Sequence, residues 1–586
     1  MSYLNGPRIN FWGGGSTNVD TANNEQYDED RQQPIVDLIN TTVTESMTDE
    51  QVINFLRSPA TANGNPYFVK GGWNFYGDHQ FAFMKNNVSS AGIPGAVSTE
   101  GSLIDLPVYL LGSLDPVSGD GPYGGPVMVD LDPTSSVTTQ IYAGGLMVGN
   151  PDKPALLIQG RAVCHSRMLG LRYLGIKGPY ATPGSISANG TFQLAFNRAD
   201  IVSYDATNPI LRQILDNPRT QGIMVRFSMF QFFPGKDTAT LQKNYAENRN
   251  DANPSLGRII GSIGAWYEGE LATELNGRHL ENKQLPGAQG VASYNPVLQM
   301  LSMDLISALP GSAIRQNGSD NTLPPEPNID YGNIHIVAGA TPVASVASLP
   351  DDYYLYGGIY DVAVGAESSG LIQNNPLTLT SDAGNLLIQE QPVRITSDQR
   401  NVYCDPAAET IRVRLGVRYL GGPLRQPTIL TLSNAAPGSL PDGNFLQYPP
   451  VVTVPAGKSY VEFTIQTNAS KDGFSQLNIA ANCSAGNFIS FRKYPLHDFS
   501  AVIKSGNIPW SLVYQECLRF YYVLFPAMSK RIPLNDEATL QAVGGELLKR
   551  LSDAYRDTTL YMPLTRSMSP GKVALLRAFI EKDQAS

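Results

Sequence analysis

The chain has 586 residues, of which 16% are charged and 42% hydrophobic, and its formal net charge is −10. Its 55 Gly, 42 Pro and 9% aromatic residues are typical of turns between many short strands, which excludes a coiled coil or helical bundle for the chain as a whole. The acidic balance, without a Lys/Arg-rich block, argues against nucleic acid as a partner. No apolar run suits a membrane span and no secretory signal pattern opens the chain, so we expect a cytoplasmic protein.

The first fifty residues are polar and end in one predicted helix. Thr48 and Gln51 form a capping-box pattern before the apolar run 52–56, and Pro59 ends it. A second, short helix is predicted at 210–215, directly after Asn208 and Pro209.

Strand patterns fill the chain from about residue 67 to residue 310. The segment 222–230 alternates apolar and polar residues, which predicts a half-buried antiparallel strand. No repeated βαβ pattern occurs, so a doubly wound nucleotide-binding fold is excluded. The other clear strands are predicted at 103–111, 140–143, 154–159 and, after a loop-rich connector at 311–330, in further segments up to about residue 400.

We therefore predict a mainly β (α+β) fold with a large antiparallel β-rich domain, an immunoglobulin-like sandwich and a small C-terminal helical subdomain. Six short strands with turn signals between them indicate the sandwich. Three amphipathic runs, 508–525, 537–556 and 569 to the end, indicate the helices. The predicted boundaries are 1–330 for the β-rich N-terminal domain, 331–405 for further strands and a connector, 406–500 for the sandwich and 501–586 for the helices.

Four cysteines give neither a disulfide framework nor a paired metal-binding spacing. Cys404 and Cys483 fall in one β-rich region and could bridge, but buried free thiols are favoured. The remaining two are Cys164 and Cys517.

Asp130 and Asp132 are candidate ligand-binding residues. In a strand, residues two apart face the same side and could share a cation. The alternative is an Asx turn, which Pro133 and Thr134 directly after them favour.

Asp78, His79 and His165 are the candidate catalytic residues, if one pocket contains them. Histidine titrates near neutral pH and could act as a base or a metal ligand. With only 5 His in the chain, structural or surface histidines are the favoured alternative, and no metal site is predicted.

Two aromatic residues are further candidates for ligand binding. Tyr142 precedes Ala143 and Gly144, which favours packing at a tight turn or strand end. Trp266 stands between glycines with Glu268 and Glu270 nearby, where an aromatic ligand could stack, although a core tryptophan is favoured.

Several collinear motifs resemble the N-terminal, non-ferritin part of the violacein-pathway iminophenyl-pyruvate dimer synthase and its chromopyrrolate synthase relatives. The resemblance implies an enzyme of secondary metabolism that couples two imines made from aromatic amino acids. The matching stretches are PRINF (7–11), TAN (21–23), VDLDPT (129–134), QIYAG (140–144), GSIGAWYEGELA (261–272), LSMDLISALP (301–310), FYYVLFPAMS (520–529) and YMPLTR (561–566).

The departures from this family bear on its chemistry. Its enzymes carry a ferritin-like domain after the YMPxTR segment, and this chain has no Glu-x-x-His pair. His79 is displaced by one place from the family histidine, and Glu516 stands where another is found. The resemblance therefore implies no cofactor for this chain alone, and haem or iron only with a ferritin-like partner subunit.

Three functions follow as hypotheses. The favoured one is a β-rich scaffold or binding subunit that acts through homo-oligomers, a larger assembly, or a ferritin-like or oxidase partner. The first alternative is an enzyme, or split-enzyme subunit, for oxidative coupling of imines derived from aromatic amino acids. The second is a self-assembling coat or filament subunit, which rests on composition alone.

Overall fold

The computed structural model describes residues 2–17, 27–28, 33–34, 36–43, 46–57, 78–165, 190–234, 243, 246–247, 255–284, 287–309, 311, 324–325, 328–347, 352–438, 440–482 and 484–584. The predicted fold class is confirmed: the chain is mostly β, with many antiparallel sheets and a small helical region at its C-terminal end. Pro59, Cys483 and most of the predicted connector 311–330 lie outside the described residues.

The strands up to residue 304 form the first part of the fold. They are β1 (Arg8–Thr17), β2 (Tyr27–Asp28), β3 (Gln33–Pro34), β4 (Val36–Asp37), β5 (Thr42–Val43), β6 (Phe81–Ile93), β7 (Ala96–Ser98), β8 (Val108–Leu111), β9 (Val127–Asp130), β10 (Thr139–Asn150), β11 (Lys153–His165), β12 (Gly190–Asn197), β13 (Ile201–Tyr204), β14 (Thr220–Pro234), β15 (Ser255–Tyr267), β16 (Arg278–Asn282), β17 (Gln289–Asn295) and β18 (Met300–Asp304).

The later strands complete one of these sheets and build the sandwich. They are β19 (Ile334–Ala338), β20 (Thr341–Val346), β21 (Ile359–Ala363), β22 (Leu377–Ser381), β23 (Leu386–Gln391), β24 (Val393–Thr396), β25 (Asn401–Cys404), β26 (Thr410–Tyr419), β27 (Thr428–Ala435), β28 (Leu446–Gln447), β29 (Val451–Val454), β30 (Tyr460–Thr467), β31 (Gly473–Ala481), β32 (Ser484–Ala485) and β33 (Asn487–Lys493).

The α-helices are short, except for two near the C-terminal end. They are α1 (Ser2–Asn5), α2 (Asp49–Arg57), α3 (Pro209–Leu215), α4 (Ser369–Asn374), α5 (Ser500–Ser505), α6 (Trp510–Val513), α7 (Arg519–Leu524), α8 (Pro526–Ser529), α9 (Glu537–Arg550) and α10 (Pro570–Gln584). A π-helical turn at Tyr514–Leu518 joins α6 to α7, so the predicted run 508–525 is an interrupted helix. None of the helices in the described part of the chain combines the length and apolar character needed to cross a bilayer.

Three antiparallel sheets are stacked in the part of the chain before residue 392. The central sheet has the order β12-β14-β15-β1-β6-β7, and the outer sheet has the order β13-β11-β10-β8 with β9 also paired to β10. Ile9 and Val225 of the central sheet pack against Ile141 of the outer sheet. On its other face, Ile260 of the central sheet packs against Leu301 of an eight-stranded sheet with the order β20-β19-β22-β23-β16-β17-β18-β21. The central sheet is therefore covered on both faces.

This stacking corrects the prediction of a half-buried strand at 222–230. Every residue of that segment is buried, because its polar positions face the eight-stranded sheet instead of water. Arg226 on β14 forms an ion pair of 2.6 Å with Asp304 on β18. On strand β1 of the same sheet, Arg8 pairs with Asp361 on β21 at 2.5 Å. The alternation of apolar and polar residues is present, but the polar residues lie between the central sheet and the eight-stranded sheet.

The sandwich consists of two sheets with the orders β28-β30-β26-β24-β32 and β25-β33-β31-β27-β29. Leu415 of the first sheet and Leu430 of the second belong to one apolar cluster between them. Strands β24 and β25, which fall in the segment 331–405, pair with this sandwich, whereas β19–β23 belong to the eight-stranded sheet, where β21 pairs with β18 and β23 pairs with β16. Cys404 at the end of β25 is a buried free thiol.

Local capping rules are confirmed at two helices. In α2, the Gln51 amide oxygen accepts the Thr48 N–H at 2.8 Å and the Thr48 hydroxyl accepts the Gln51 N–H at 3.3 Å. In α3, the Asn208 side chain accepts the N–H groups of Ile210 and Leu211, both at 3.0 Å. These side chains satisfy helix-end donors that have no partner within the helix.

Candidate functional site

The predicted catalytic and ligand-binding residues other than Trp266 gather around one end of the outer sheet. Asp130 ends β9, Tyr142 lies on β10 and His165 ends β11. His79 joins the same end, because its carbonyl oxygen accepts the Met128 N–H at 2.8 Å. These residues therefore share one neighbourhood along the sheet.

Asp130 and His165 lie on opposite faces of the outer sheet. Asp130 is in register with Thr139, whereas His165 is in register with Gln140. Neighbouring residues of a strand point to opposite faces, so the two side chains diverge. Although Asp130 and His165 lie near each other along the sheet, their side chains do not face a common pocket.

Asp130 is a buried carboxyl group beside the Thr139 hydroxyl. Burial raises its pKa well above the ordinary value, the Thr139 hydroxyl opposes this shift, and the charge of Asp132 adds to it. Burial therefore disfavours the ionised form of Asp130, which is the form that binds a cation.

Asp132 closes a turn directly after β9. Its Oδ1 accepts the Thr134 N–H at 2.9 Å and the Thr134 hydroxyl at 2.8 Å. The side chain thus makes the Asx turn that Pro133 and Thr134 favoured. Asp78 does the same more locally, because its Oδ1 accepts the Gln80 N–H at 3.1 Å.

His79 is a buried, neutral imidazole. Its ring lies 5.4 Å from the ring of Phe525, centroid to centroid, in a tilted arrangement. Burial, together with the positive charge of Arg566, lowers the pKa of His79 to about 3. At neutral pH the ring carries no charge.

The low pKa of His79 predicts a pH-dependent contribution to stability. Below pH 6.5 the unfolded chain binds a proton at this ring that the folded chain excludes down to about pH 3. The stability of wild type relative to His79→Asn should therefore be fully present above pH 6.5 and decline as the pH falls toward about 3. Urea denaturation of both proteins across this range measures the difference.

The control for this measurement is His335→Asn, at an exposed ring that contacts Asp382. A difference between wild type and His79→Asn that stays constant from neutral to acidic pH would contradict the buried neutral ring.

Tyr142 is held between a glutamine and an arginine. Its hydroxyl donates to Gln140 Oε1 at 3.0 Å, and the guanidinium carbon of Arg566 lies 3.6 Å from the centre of its ring. Burial is the main cause that raises the pKa of Tyr142, so its hydroxyl is a neutral donor and not a base. Arg566 also donates to the Thr558 carbonyl oxygen at 2.6 Å.

These contacts belong to a larger cluster, the arginine–tyrosine junction, where the outer sheet, the sandwich and the C-terminal segment meet. Gln140 Nε2 donates to the Tyr403 hydroxyl at 3.0 Å, and the Tyr494 hydroxyl donates to the Arg566 carbonyl oxygen at 2.5 Å. The junction consists of Tyr142, Tyr403, Tyr494, Arg556, Tyr561 and Arg566. Sequence reasoning singled out only Tyr142 as a candidate, although the YMPLTR stretch had marked Tyr561 and Arg566.

Trp266 lies elsewhere, at the end of β15. Its indole Nε1 donates to the Glu270 carbonyl oxygen at 3.0 Å, and Tyr267 N–H donates to the Glu270 carboxylate at 3.0 Å. A Cβ atom at Gly222, opposite Trp266, would lie 1.9 Å from the Phe196 carbonyl oxygen. Trp266 therefore anchors a closely approached backbone.

The family resemblance associates haem or iron with a ferritin-like partner, so the described residues of this chain bear only on a metal ion that the chain itself would bind. Over those ranges, no three His, Cys, Asp or Glu residues come close enough to hold a metal ion. Glu516, at the family histidine position, lies in the π-helical turn and faces the buried Lys572 ammonium at 3.7 Å. An acid engaged in this way is not a substitute for an axial imidazole.

No family model and no curated protein matches the chain. Among solved structures, the apo form of the Calx CBD1 domain is 11% identical and covers 17% of this chain and 96% of that chain, with a TM-score of 0.14. The Bacteroides ovatus GH5 xyloglucanase is 13% identical and covers 18% and 20%, with a TM-score of 0.13. The CupB6 tip adhesin from Pseudomonas aeruginosa is 9% identical and covers 67% and 96%, with a TM-score of 0.12. Similarities this weak carry no argument about function.

Proposed function

We propose that this protein is a β-rich scaffold or binding subunit, related to the non-ferritin part of iminophenyl-pyruvate dimer synthases, that acts by assembling with further copies of itself. The observation that carries the proposal is the engagement of Tyr142, Asp132 and Trp266 in contacts within the fold. Tyr142 is covered by Arg566, Asp132 closes a turn and Trp266 anchors a strand end. Contacts of this kind favour a structural role for these three side chains over a catalytic one.

The sandwich offers a surface for such assembly. Strand β29 is the last strand of its sheet and pairs only with β27 over the described residues. An edge strand presents backbone N–H and C=O groups that another chain can pair with. Beside this edge, Ile429 is 59% exposed and Val451 is 50% exposed. An exposed apolar pair at a strand edge favours β-pairing between two copies.

Light scattering after gel filtration tests the proposal. The wild-type chain is expected to elute as a species larger than the monomer mass of 63.4 kDa, because the edge pairs with a second copy. The double variant Ile429→Lys, Val451→Lys is expected to elute as a monomer, since a charge on the edge strand β29 and a second beside it on β27 oppose pairing. The matched control is Val297→Lys, at a residue 88% exposed in the β17–β18 turn, which should leave the mass unchanged.

The same preparation distinguishes the alternatives. A wild-type monomer at all concentrations would overturn the assembly proposal. A Soret band in the absorption spectrum, or iron at one equivalent per chain, would favour the imine-coupling enzyme instead. Assemblies that grow without a defined mass would favour the coat or filament subunit.

A further inference from the structure

A cavity of about 260 Å³ lies where three parts of the fold meet. The central sheet contributes Phe192 and Arg226, the eight-stranded sheet contributes His279, and the sandwich contributes Arg400 and Phe488. Its volume lies near the lower end of the range for small-molecule sites, which occur preferentially between domains. None of the residues proposed from the sequence as catalytic or ligand-binding lines it.

The cavity wall is rich in positive charge. Among its described lining residues, the ionised groups at neutral pH are the guanidinium groups of Arg226, Arg394 and Arg400 and the carboxylate of Glu274. Glu274 lies 3.5 Å from Arg394, and Asp304 lies 2.6 Å from Arg226 behind the wall. Counting both acids against the three arginines leaves the formal charge positive.

Nη2 of Arg226 and Nε2 of His279 belong to the wall and are buried without a hydrogen-bond partner in the described part of the chain. Each belongs to a residue only 4% exposed. Buried donors are costly to leave unsatisfied, so a group that accepts hydrogen bonds is needed at this position. A guanidinium N–H prefers a carboxylate or phosphate oxygen as acceptor.

Part of the remaining wall is apolar, beside the polar residues Thr191, Gln193, Thr273, Gln289 and Asn487. Leu275 lines this apolar part, and the Arg400 guanidinium lies 3.6 Å from the centre of the Phe488 ring. This stacking fixes the guanidinium plane at the edge of an apolar surface. A fully hydrated inorganic ion would leave that surface uncovered, whereas an organic acid would cover it.

We infer that this cavity binds a small organic carboxylate, with its carboxylate group at Arg226 and His279 and its apolar body against Leu275 and Phe488. The site is independent of the sandwich edge and adds a ligand to the proposed scaffold. The carboxylate would satisfy both unpartnered atoms at once, with Nε2 of the neutral imidazole as donor.

Isothermal titration of the full chain tests the inference with three probes. Benzoate should bind with saturation, whereas benzamide, which has the same shape without the charge, should bind at least about tenfold more weakly because a charged hydrogen bond is lost. Inorganic phosphate should compete only weakly, since it leaves the apolar wall uncovered. Equal binding of benzoate and benzamide, or no saturable benzoate binding, would overturn the inference, and phosphate binding tighter than benzoate would overturn the organic assignment.

Two variants locate the site. His279→Gln and Arg400→Gln should each weaken benzoate binding about tenfold, with melting temperatures checked to show that both fold. The matched control is Arg412→Gln, on the sandwich surface with its side chain 74% exposed, which should bind benzoate as wild type does. Wild-type affinity in both folded cavity variants would place the binding elsewhere and overturn the inference.

Discussion

Replacing Asp304 by Asn is expected to lower the free energy of unfolding by about 3–5 kcal/mol, the cost of leaving a buried charge without its partner. Asp304 is fully buried and accepts both the Arg226 guanidinium at 2.6 Å and the Tyr3 hydroxyl at 3.0 Å. Asn keeps the volume of the side chain but leaves the cation between the central and eight-stranded sheets uncompensated. Urea denaturation followed by tryptophan fluorescence measures the change.

An exposed ion pair and a double replacement of the buried pair serve as the controls. Asp216→Asn breaks an ion pair of 3.2 Å whose side chains are 62% and 47% exposed, and should cost less than about 1 kcal/mol. Replacing both buried partners, as Arg226→Met with Asp304→Leu, should recover most of the lost stability because no charge remains to be buried. An Asp304→Asn protein as stable as Asp216→Asn would show that the buried pair does not hold the two sheets together.

Arg566→Lys is expected to lower the free energy of unfolding by about 2–3 kcal/mol, although it preserves the charge. The guanidinium group stacks on Tyr142 and donates to the carbonyl oxygens of Thr558 and Leu564, in directions that a single ammonium group cannot match. Thermal and urea denaturation measure the loss, which should be accompanied by faster proteolysis after residue 556 as the C-terminal segment detaches.

The control is Arg577→Lys in α10, where the side chain is 45% exposed and its partner Glu581 is also exposed. That change should alter stability by less than about 0.5 kcal/mol. Equal stability of Arg566→Lys and wild type would mean that the arginine–tyrosine junction depends on charge alone and not on guanidinium geometry.

The parts of the fold that follow from short-range rules were predicted correctly. The capping box at Thr48 and Gln51 and the Asn208 cap depend on residues two or three apart, and both are present. The strand at 103–111 was only half correct: β8 begins at Val108, because the residues before it form turns such as that closed by the Ile104 N–H and the Gly101 carbonyl oxygen. Apolar runs alone do not separate a strand from a buried turn.

The candidate site shows where short-range reasoning stops. The Asx turn at Asp132 was visible in the sequence because its partner Thr134 is two residues away. The divergence of Asp130 and His165 depends on the register of three strands, and the cover over Tyr142 comes from Arg566 in the C-terminal segment. Nothing in the residues next to Arg226 or His279 indicated that they would line a common cavity, since tertiary pairing alone brings them together.

The position of β1 inside the central sheet has a consequence for how the chain acquires its structure. This N-terminal strand pairs with β15 along residues 255–264 and with β6, while Asp49 of α2 accepts the Arg519 guanidinium at 2.7 Å. During synthesis β1 can pair with β6 early, but it can pair with β15 only after roughly 250 further residues have been made. The ion pair between Asp49 of α2 and Arg519 spans 470 residues. Such high contact order predicts slow closure of the central sheet, with strand edges exposed in the interim.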